Sequence, residues 1–108
     1  MTLAVCTTTE SREEAQKIAR ACVEARLAAC VHIDEIASIY VWQGDVQEGR
    51  EFRLTMKTTA EAYPALEARI RQLHSYELPA IYAFEVVRGS EDYLDWVRGE
   101  VTPCGQAG

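Results

Sequence analysis

The spacing of hydrophobic positions along the chain predicts alternating strands and helices. Residues 3–8 form a short run rich in β-branched side chains, which favours a strand. After this run, apolar residues between Ala15 and Leu27 recur at helical spacing. Ser11 followed by Glu14 forms a capping box, with serine at the cap and glutamate three residues later. The pattern therefore predicts a first strand and then a helix that begins after Ser11.

The middle of the chain has the pattern of a β-hairpin. Residues 29–33 and 37–42 are strand-like, and we expect Asp34 and Glu35 to interrupt them. The segment 43–49 places two glycines among polar residues, which is typical of a turn. Residues 50–57 then alternate between apolar and polar side chains, as a half-buried strand does.

The last part of the chain predicts a helix, a strand and a short helix. Thr58 or Thr59 can cap a helix over residues 62–73, and Thr58 with Glu61 makes a possible capping box. Pro64 must then lie in the first turn. A strand is predicted at residues 80–87, and a last helix runs from Ser90 to near Gly99.

The resulting order, β-α-β-β-α-β followed by a short C-terminal helix, predicts an α+β fold. Two units of this type form a ferredoxin-like sandwich with a long β2–β3 hairpin and helices on one face of an antiparallel sheet. We expect one domain over residues 1–101 and a flexible tail over residues 102–108.

Aromatic residues mark the sheet face that the helices leave open. Tyr40 and Trp42 alternate with Ile39 and Val41, and the strand after Pro79 is apolar on both sides, with Tyr82 and Phe84 on one of them. Exposed aromatic clusters usually form contact sites. We expect self-association through this face, since symmetric homo-oligomers are the commonest assemblies; a local aromatic pair that caps the hairpin is the alternative.

Charge and hydropathy restrict the partners. The chain has 17 acidic and 11 basic residues among 108, a formal net charge of −6. Nucleic-acid binding draws on cationic contacts to phosphate, so we expect no nucleic-acid partner. We expect no membrane partner either, because no apolar stretch approaches the roughly 20 residues of a span. Without a signal-peptide pattern at the N-terminus, the expected location is the cytoplasm.

The four cysteines (Cys6, Cys22, Cys30 and Cys104) form no C-x-x-C pair. The spacing matches neither a disulfide framework nor a zinc finger. We therefore expect reduced thiols, with Cys22 and Cys30 packed as small hydrophobic side chains.

Four segments, in order, resemble the CutA divalent-cation tolerance protein family. They are Glu24–Val31 (E-A-R-L-A-A-C-V), Tyr40–Gly44 (Y-V-W-Q-G), Lys57–Thr59 (K-T-T) and Tyr93–Trp96 (Y-L-D-W). The resemblance covers residues 3–98 and implies a ferredoxin-like protomer in a trimer similar to the PII signalling proteins. It also implies that the hairpin reaches a neighbouring subunit and that the open sheet faces, with Tyr40, Trp42, Tyr82 and Phe84, form the trimer interface.

The chain departs from the family pattern at two places. The family has His-Pro-Tyr and then Pro-Glu, where this chain has His74-Ser75-Tyr76 and then Pro79-Ala80. The carboxylate expected after Pro79 is therefore missing. His32 stands where the family often has asparagine.

Metal binding is the first functional hypothesis, because the resemblance implies an association with copper and other divalent ions. Copper favours imidazole and thiolate ligands, and Cys6 and His74 match the family's candidates for that role. We therefore expect Cu(II) or another divalent cation as the bound ion.

A second hypothesis is a cleft between subunits for a small anionic ligand. Lys57, Thr58 and Thr59 lie at a strand-to-helix junction, where free backbone N–H groups favour anions. Trp42, His74 and Tyr76 would complete the pocket. A structural or anchoring role is the third hypothesis, and the absence of catalytic motifs predicts that the chain is not an enzyme.

Overall fold

The computed structural model of the protein describes residues 1–102 and contains four strands and three helices. These are β1 (Thr2–Thr9), α1 (Arg12–Glu24), β2 (Cys30–Trp42), β3 (Asp45–Thr59), α2 (Tyr63–Leu73), β4 (Ile81–Glu85) and α3 (Glu91–Glu100). The predicted order of elements is confirmed. Residues 103–108, which include Cys104 and most of the predicted tail, lie outside the described residues.

The strands form one sheet in the order β2-β3-β1-β4. Every neighbouring pair is antiparallel. Since α1 connects β1 to β2 and α2 connects β3 to β4, two β-α-β units interleave in the sheet. The α+β, ferredoxin-like expectation is confirmed.

The helices α1 and α2 cover one face of the sheet. Ile18 from α1 and Ile70 from α2 pack on Val5, Leu54 and Met56, and all five side chains are fully buried. Because successive strand residues point to opposite faces, the residues next to these core positions lie on the other face, which we call the open face. Within residues 1–102 there is no helix long and apolar enough to cross a membrane.

The strand β2 is continuous from Cys30 to Trp42. The interruption expected at Asp34 and Glu35 is wrong, because each carboxylate meets an arginine of β3. Arg53 lies 2.9 Å from Asp34, and Arg50 lies 2.6 Å from Glu35. These ion pairs let two acidic residues remain in the ladder.

The turn of the hairpin contains two residues, Gln43 and Gly44, instead of the seven predicted. Their φ angles are 52° and 86°, as in a type I′ turn. The polar residues that follow belong to β3, which begins at Asp45. Within the chain, residues 45–50 are exposed on both faces of the hairpin, so polar side chains do not end the ladder.

The hairpin extends well beyond the rest of the sheet. The strand β1 pairs with β3 only as far as Phe52, so residues 36–42 and 45–51 pair with each other alone. We call these two segments the hairpin arm. Ile39, Val41 and Val46 in the arm are 70%, 69% and 72% exposed.

Ser11 and Ser90 cap the helices that they were predicted to start, but the Glu14 half of the capping box is not formed, because its carboxylate accepts from Ser75 instead. The Ser11 hydroxyl accepts a hydrogen bond from the Glu14 backbone N–H at 3.1 Å, at the start of α1. At the start of α3, the Ser90 hydroxyl accepts from the Tyr93 N–H at 3.3 Å. These serines satisfy backbone donors that the first helical turn leaves free.

The start of α2 differs from the prediction. The helix begins at Tyr63 after Ala62, with Pro64 in the first turn, and no side chain caps it. Thr58 instead donates to the Leu27 carbonyl at 2.7 Å, and Thr59 accepts from the Ala62 N–H at 3.2 Å. The capping box of Thr58 with Glu61 is therefore wrong, because both threonines remain in β3.

Candidate functional site

The hairpin arm and the loop between α2 and β4 enclose a groove of about 800 Å³. Its walls are Thr8, residues 37–42, Glu51, residues 75–78 and Ala80. We call this cavity the arm groove. It places the two aromatic residues Trp42 and Tyr76, distant in sequence, on the walls of one cavity.

Glu51 lies at the centre of the hydrogen bonds in the arm groove. One carboxylate oxygen accepts from the Tyr76 hydroxyl at 2.8 Å, and the other accepts from the Ser38 hydroxyl at 2.8 Å. Burial raises the pKa of Tyr76, and the hydrogen bond to Glu51 and its charge act in the same direction. The phenol therefore keeps its proton and donates it to the carboxylate.

His74 holds the loop that carries Tyr76. Its ring is buried, and Nδ1 accepts from the Tyr76 backbone N–H at 3.1 Å. Because Nδ1 is an acceptor, Nε2 carries the proton and donates to the Thr8 carbonyl at 2.7 Å. Both ring nitrogens of His74 are thus occupied within the chain.

Glu14 of α1 fixes the same loop from the helix side. Its carboxylate accepts from the Ser75 N–H at 2.8 Å and from the Ser75 hydroxyl at 3.0 Å. Together with the His74 contacts, these bonds position Tyr76 against Glu51.

Sequence reasoning missed Glu51 and Ser38 in this site. The strand period of two contained a signal for Ser38, because it lies on the same face of β2 as Tyr40 and Trp42. The contact between Glu51 and Tyr76 joins residues 25 positions apart, and it depends on the path of the loop.

The two candidate metal ligands lie on different sides of the sheet. Cys6 follows the core residue Val5 and is on the open face, between Thr55 and Tyr82 in the strand register. His74 lies on the helix side, against Glu14. Residues 1–102 contain no group of three histidine, cysteine or carboxylate side chains placed to hold a metal ion. Coordination by Cys6 or His74 stays a prediction.

The candidate anion cleft is not assembled within one protomer. Trp42 and Tyr76 share the arm groove, whereas Lys57 pairs with Cys30 at the other end of the hairpin. Cys30 and Trp42 are twelve residue steps apart along β2, about 40 Å at the usual rise. The hydroxyls of Thr58 and Thr59 make hydrogen bonds inside the chain. A cleft that draws these residues from two subunits stays a prediction.

Three of the candidate interface residues, Tyr40, Tyr82 and Phe84, are exposed in the chain, whereas Trp42 is half-buried in the wall of the arm groove. Tyr82 and Phe84 of β4 contact each other edge to face on the open face, with ring centroids 5.6 Å apart. Tyr40 lies on the hairpin arm, and it is 47% exposed. The two aromatic groups therefore lie on strands at opposite edges of the sheet.

Comparison with known protein families gives a match over most of the chain. The family of CutA1 divalent ion tolerance proteins matches residues 3–100. The divalent-cation tolerance protein CutA of Thermus thermophilus is 48% identical over 95 residues, which are 87% of this chain and 92% of that protein. The human protein CutA is 44% identical over 92 residues. This alignment covers 84% of the chain, which spans about half the length of the human protein (51%).

Solved structures agree in fold. The structure of the Thermus thermophilus divalent cation tolerance protein superposes with a TM-score of 0.91 at 46% identity, covering 94% of this chain and all of that one. The PII-like protein CutA of a Nostoc species gives a TM-score of 0.88 at 35% identity, over 95% of this chain and 99% of that one. These similarities extend through the hairpin arm, so the chain belongs to the family of CutA1 divalent ion tolerance proteins.

Proposed function

We propose that the chain functions as a homotrimer in the response to divalent metal ions, copper among them. The observation that carries the proposal is the hairpin arm. Its apolar side chains Ile39, Val41 and Val46 are about 70% exposed within residues 1–102. Exposed apolar surface of this extent is typical of an interface, and a second copy of the chain is the partner that symmetry favours.

The open face supports the same proposal. Tyr82 and Phe84 are 45% and 61% exposed, on a face that neither α1 nor α2 covers. A trimer in which the hairpin arm of one subunit reaches the next would cover the arm and bring these faces together. Tyr40, Trp42, Tyr82 and Phe84 are the proposed interface residues.

Light scattering tests the assembly. Dilute protein should have a mass near three times the 12.1 kDa of the chain. Val41→Lys should lower the mass toward that of one subunit, because a lysine cannot be buried there without a partner charge. Gln16→Lys adds the same charge on the exposed surface of α1 and should leave the mass unchanged. A single-subunit mass for the unmodified protein would refute the trimer.

The metal part of the proposal rests on the family and on ligand chemistry. We propose Cys6 and His74 as the side chains that contribute to copper binding, since thiolate and imidazole are ligands that copper prefers. They lie on different sides of the sheet, so a bound ion would need further ligands from a second subunit or from water. For His74 to coordinate the ion, one of its two ring nitrogens would have to give up its present hydrogen bond.

Calorimetric titration of the metal-free protein with copper tests this assignment. Cys6→Ser and His74→Ala should each weaken binding by about ten-fold or more, comparable to the loss of a supporting residue in other metal sites. His32→Ala is the control, because His32 is exposed on the open face and pairs with Thr55. If only His32→Ala reduces the affinity, the proposed ligands are wrong.

We propose no catalytic role and a cytoplasmic location. A cysteine nucleophile needs an adjacent base, and Cys6 and His74 lie on different sides of the sheet. A related protein from Archaeoglobus fulgidus is described as periplasmic. Cell fractionation therefore tests the location, and an assay of free thiols tests whether the cysteines are reduced. Recovery of the protein from an oxidising compartment would contradict the cytoplasmic location.

A further inference from the structure

We propose that the loop of residues 74–78 ties the hairpin arm to the body of the protomer, meaning α1, α2 and the rest of the sheet, and keeps the arm ordered. We call this loop the tether. It goes beyond the function proposed above, because it consists of contacts within one chain and requires neither a trimer nor a metal ion. Strand pairing and the hydrogen bonds that reach the arm both support it.

The ladder alone gives the arm little support. The strand β1 pairs with β3 only as far as Phe52, so residues 36–42 and 45–51 continue as a two-stranded ribbon. An isolated two-stranded hairpin is at best marginally stable in water. Each segment extends about 23 Å at the usual rise, so a change of about 10° at the base would move the tip by about 4 Å. An ordered arm therefore needs support from outside the ladder.

Within residues 1–102, one side-chain hydrogen bond joins the arm to a part of the chain outside the hairpin. The Tyr76 hydroxyl donates it to a carboxylate oxygen of Glu51 at 2.8 Å. The other side-chain hydrogen bonds of the arm stay inside the hairpin, from Ser38 to Glu51 and from Arg50 to Glu35. In this part of the chain, Tyr76 is thus the polar link between the arm and the body.

Glu51 extends this link to both strands of the arm. Its second carboxylate oxygen accepts from the Ser38 hydroxyl at 2.8 Å. Glu51 belongs to β3 and lies opposite Ile36 of β2, so the bond to Ser38 crosses the ladder diagonally. Hydrogen bonds to a charged acceptor are stronger than those between neutral groups. A single phenol therefore restrains both strands through one carboxylate.

The tether is fixed on the body by its own hydrogen bonds. Ser75 donates from its N–H and its hydroxyl to the Glu14 carboxylate of α1, at 2.8 Å and 3.0 Å. The Nε2–H group of His74 donates to the Thr8 carbonyl of β1 at 2.7 Å. The tether is thus bound to a helix and to an inner strand of the sheet, and this gives its aromatic side chain a fixed position.

A second chain packed on the arm is the other source of order. Its contact would be made by the exposed apolar side chains Ile39, Val41 and Val46, which take no part in the tether. If that contact alone ordered the arm, loss of the Tyr76 hydroxyl would leave the arm unchanged in the native assembly. The tether predicts the opposite result, so the two sources of order can be separated by experiment.

Amide hydrogen exchange of the protein in its native assembly tests the tether. Tyr76→Phe should speed exchange in residues 36–42 and 45–51 by about ten-fold and leave exchange in β1 unchanged, because only the arm opens more often. Tyr63→Phe is the matched control, since it removes a phenol hydroxyl from α2, outside the tether. Unchanged exchange in the arm, or an equal increase in β1, would overturn the proposal.

A double variant shows whether the effect comes from the contact of Tyr76 with Glu51. Glu51→Ala should speed exchange in the arm by about ten-fold or more, since it frees both Tyr76 and Ser38. Adding Tyr76→Phe to it should cause no further increase, because both substitutions remove the same link. Glu48→Ala is the control, with the same charge in the same strand and a place opposite Ile39. Effects that add, or an equal effect of Glu48→Ala, would refute the tether.

Discussion

Cys22 illustrates how position alone sets the chemistry of a side chain. Its thiol is fully buried among the residues of α1 and the sheet. Burial raises its pKa from 9.0 to about 11, against a smaller opposite effect of the charge of Arg69. The sequence predicted a packed thiol at this position from the helical spacing, and the structure confirms it.

This raised pKa predicts a loss of stability in alkaline solution. The pKa of Cys22 is higher in the folded state than in the unfolded state. The protonated thiol therefore contributes its full stabilisation below pH 9, and this stabilisation is lost as the pH rises toward about 11. The free energy of unfolding should fall by up to about 2–3 kcal/mol over this range. The free energy of unfolding is measured by urea denaturation at fixed protein concentration across this pH range. It should fall less steeply with rising pH in Cys22→Val than in the unmodified protein. If the free energy of unfolding falls equally with pH in both proteins, the loss of stability does not come from Cys22.

Two buried threonines provide a test of hydrogen bonding. Thr58 donates to the Leu27 carbonyl at 2.7 Å, whereas the Thr7 hydroxyl has no partner among the described residues. Thr58→Val should therefore lower the free energy of unfolding by about 1–2 kcal/mol, since it leaves a buried carbonyl without its donor. Thr7→Val should leave it unchanged or raise it slightly. Urea denaturation measures both variants. An equal loss in the free energy of unfolding for Thr58→Val and Thr7→Val would contradict the difference in hydrogen bonding.

Single residues also show the limit of sequence reasoning. The caps Ser11 and Ser90 were predictable, because a cap depends on residues within one helical turn. The role of Glu51 was not, because its partner Tyr76 lies on a loop fixed by Glu14 and His74. Contacts of this kind depend on the whole fold.

At the scale of the element, the hairpin departs most from the sequence pattern. Acidic residues usually weaken a strand, yet Asp34 and Glu35 remain in β2 and pair with arginines of β3. Arg53 lies directly across from Asp34, whereas Arg50 lies across from Ala37 and reaches Glu35 diagonally. Neither pair can be recognised until the register is known. The register in turn depends on a two-residue turn that the glycines at 44 and 49 obscured.

The turn itself can be tested by substitution. Gly44 has a φ of 86°, so Gly44→Ala should cost about 1–2 kcal/mol. Gln43→Asn should stabilise the hairpin by a few tenths of a kcal/mol, since Asn-Gly is the preferred type I′ pair. Gly49→Ala is the control, because its added methyl group would meet no atom within 4 Å. Urea denaturation measures all three, and equal costs at Gly44 and Gly49 would contradict the turn assignment.

At the scale of the whole molecule, the long hairpin gives the protomer an extended shape, with a principal extent of 43 Å against 28 Å and 22 Å. The sandwich was predictable from the order of elements, whereas no residue within 1–102 covers the apolar side chains Ile39, Val41 and Val46 of the hairpin arm to more than about a third. In the proposed trimer, Trp42→Ala should weaken association by about 2 kcal/mol if the ring is a central anchor. Dilution monitored by light scattering measures the change, and an unchanged dissociation midpoint would place Trp42 outside the contact.

The order of the strands has a consequence for aggregation. The thirteen-residue strand β2 forms one edge of the sheet, and its outer backbone groups can pair with any extended chain. The charged residues Asp34 and Glu35 on this edge act as gatekeepers against such pairing. Newly made chains at high concentration can therefore aggregate through this edge, so replacement of both acidic residues by valine should shorten the lag time of aggregation.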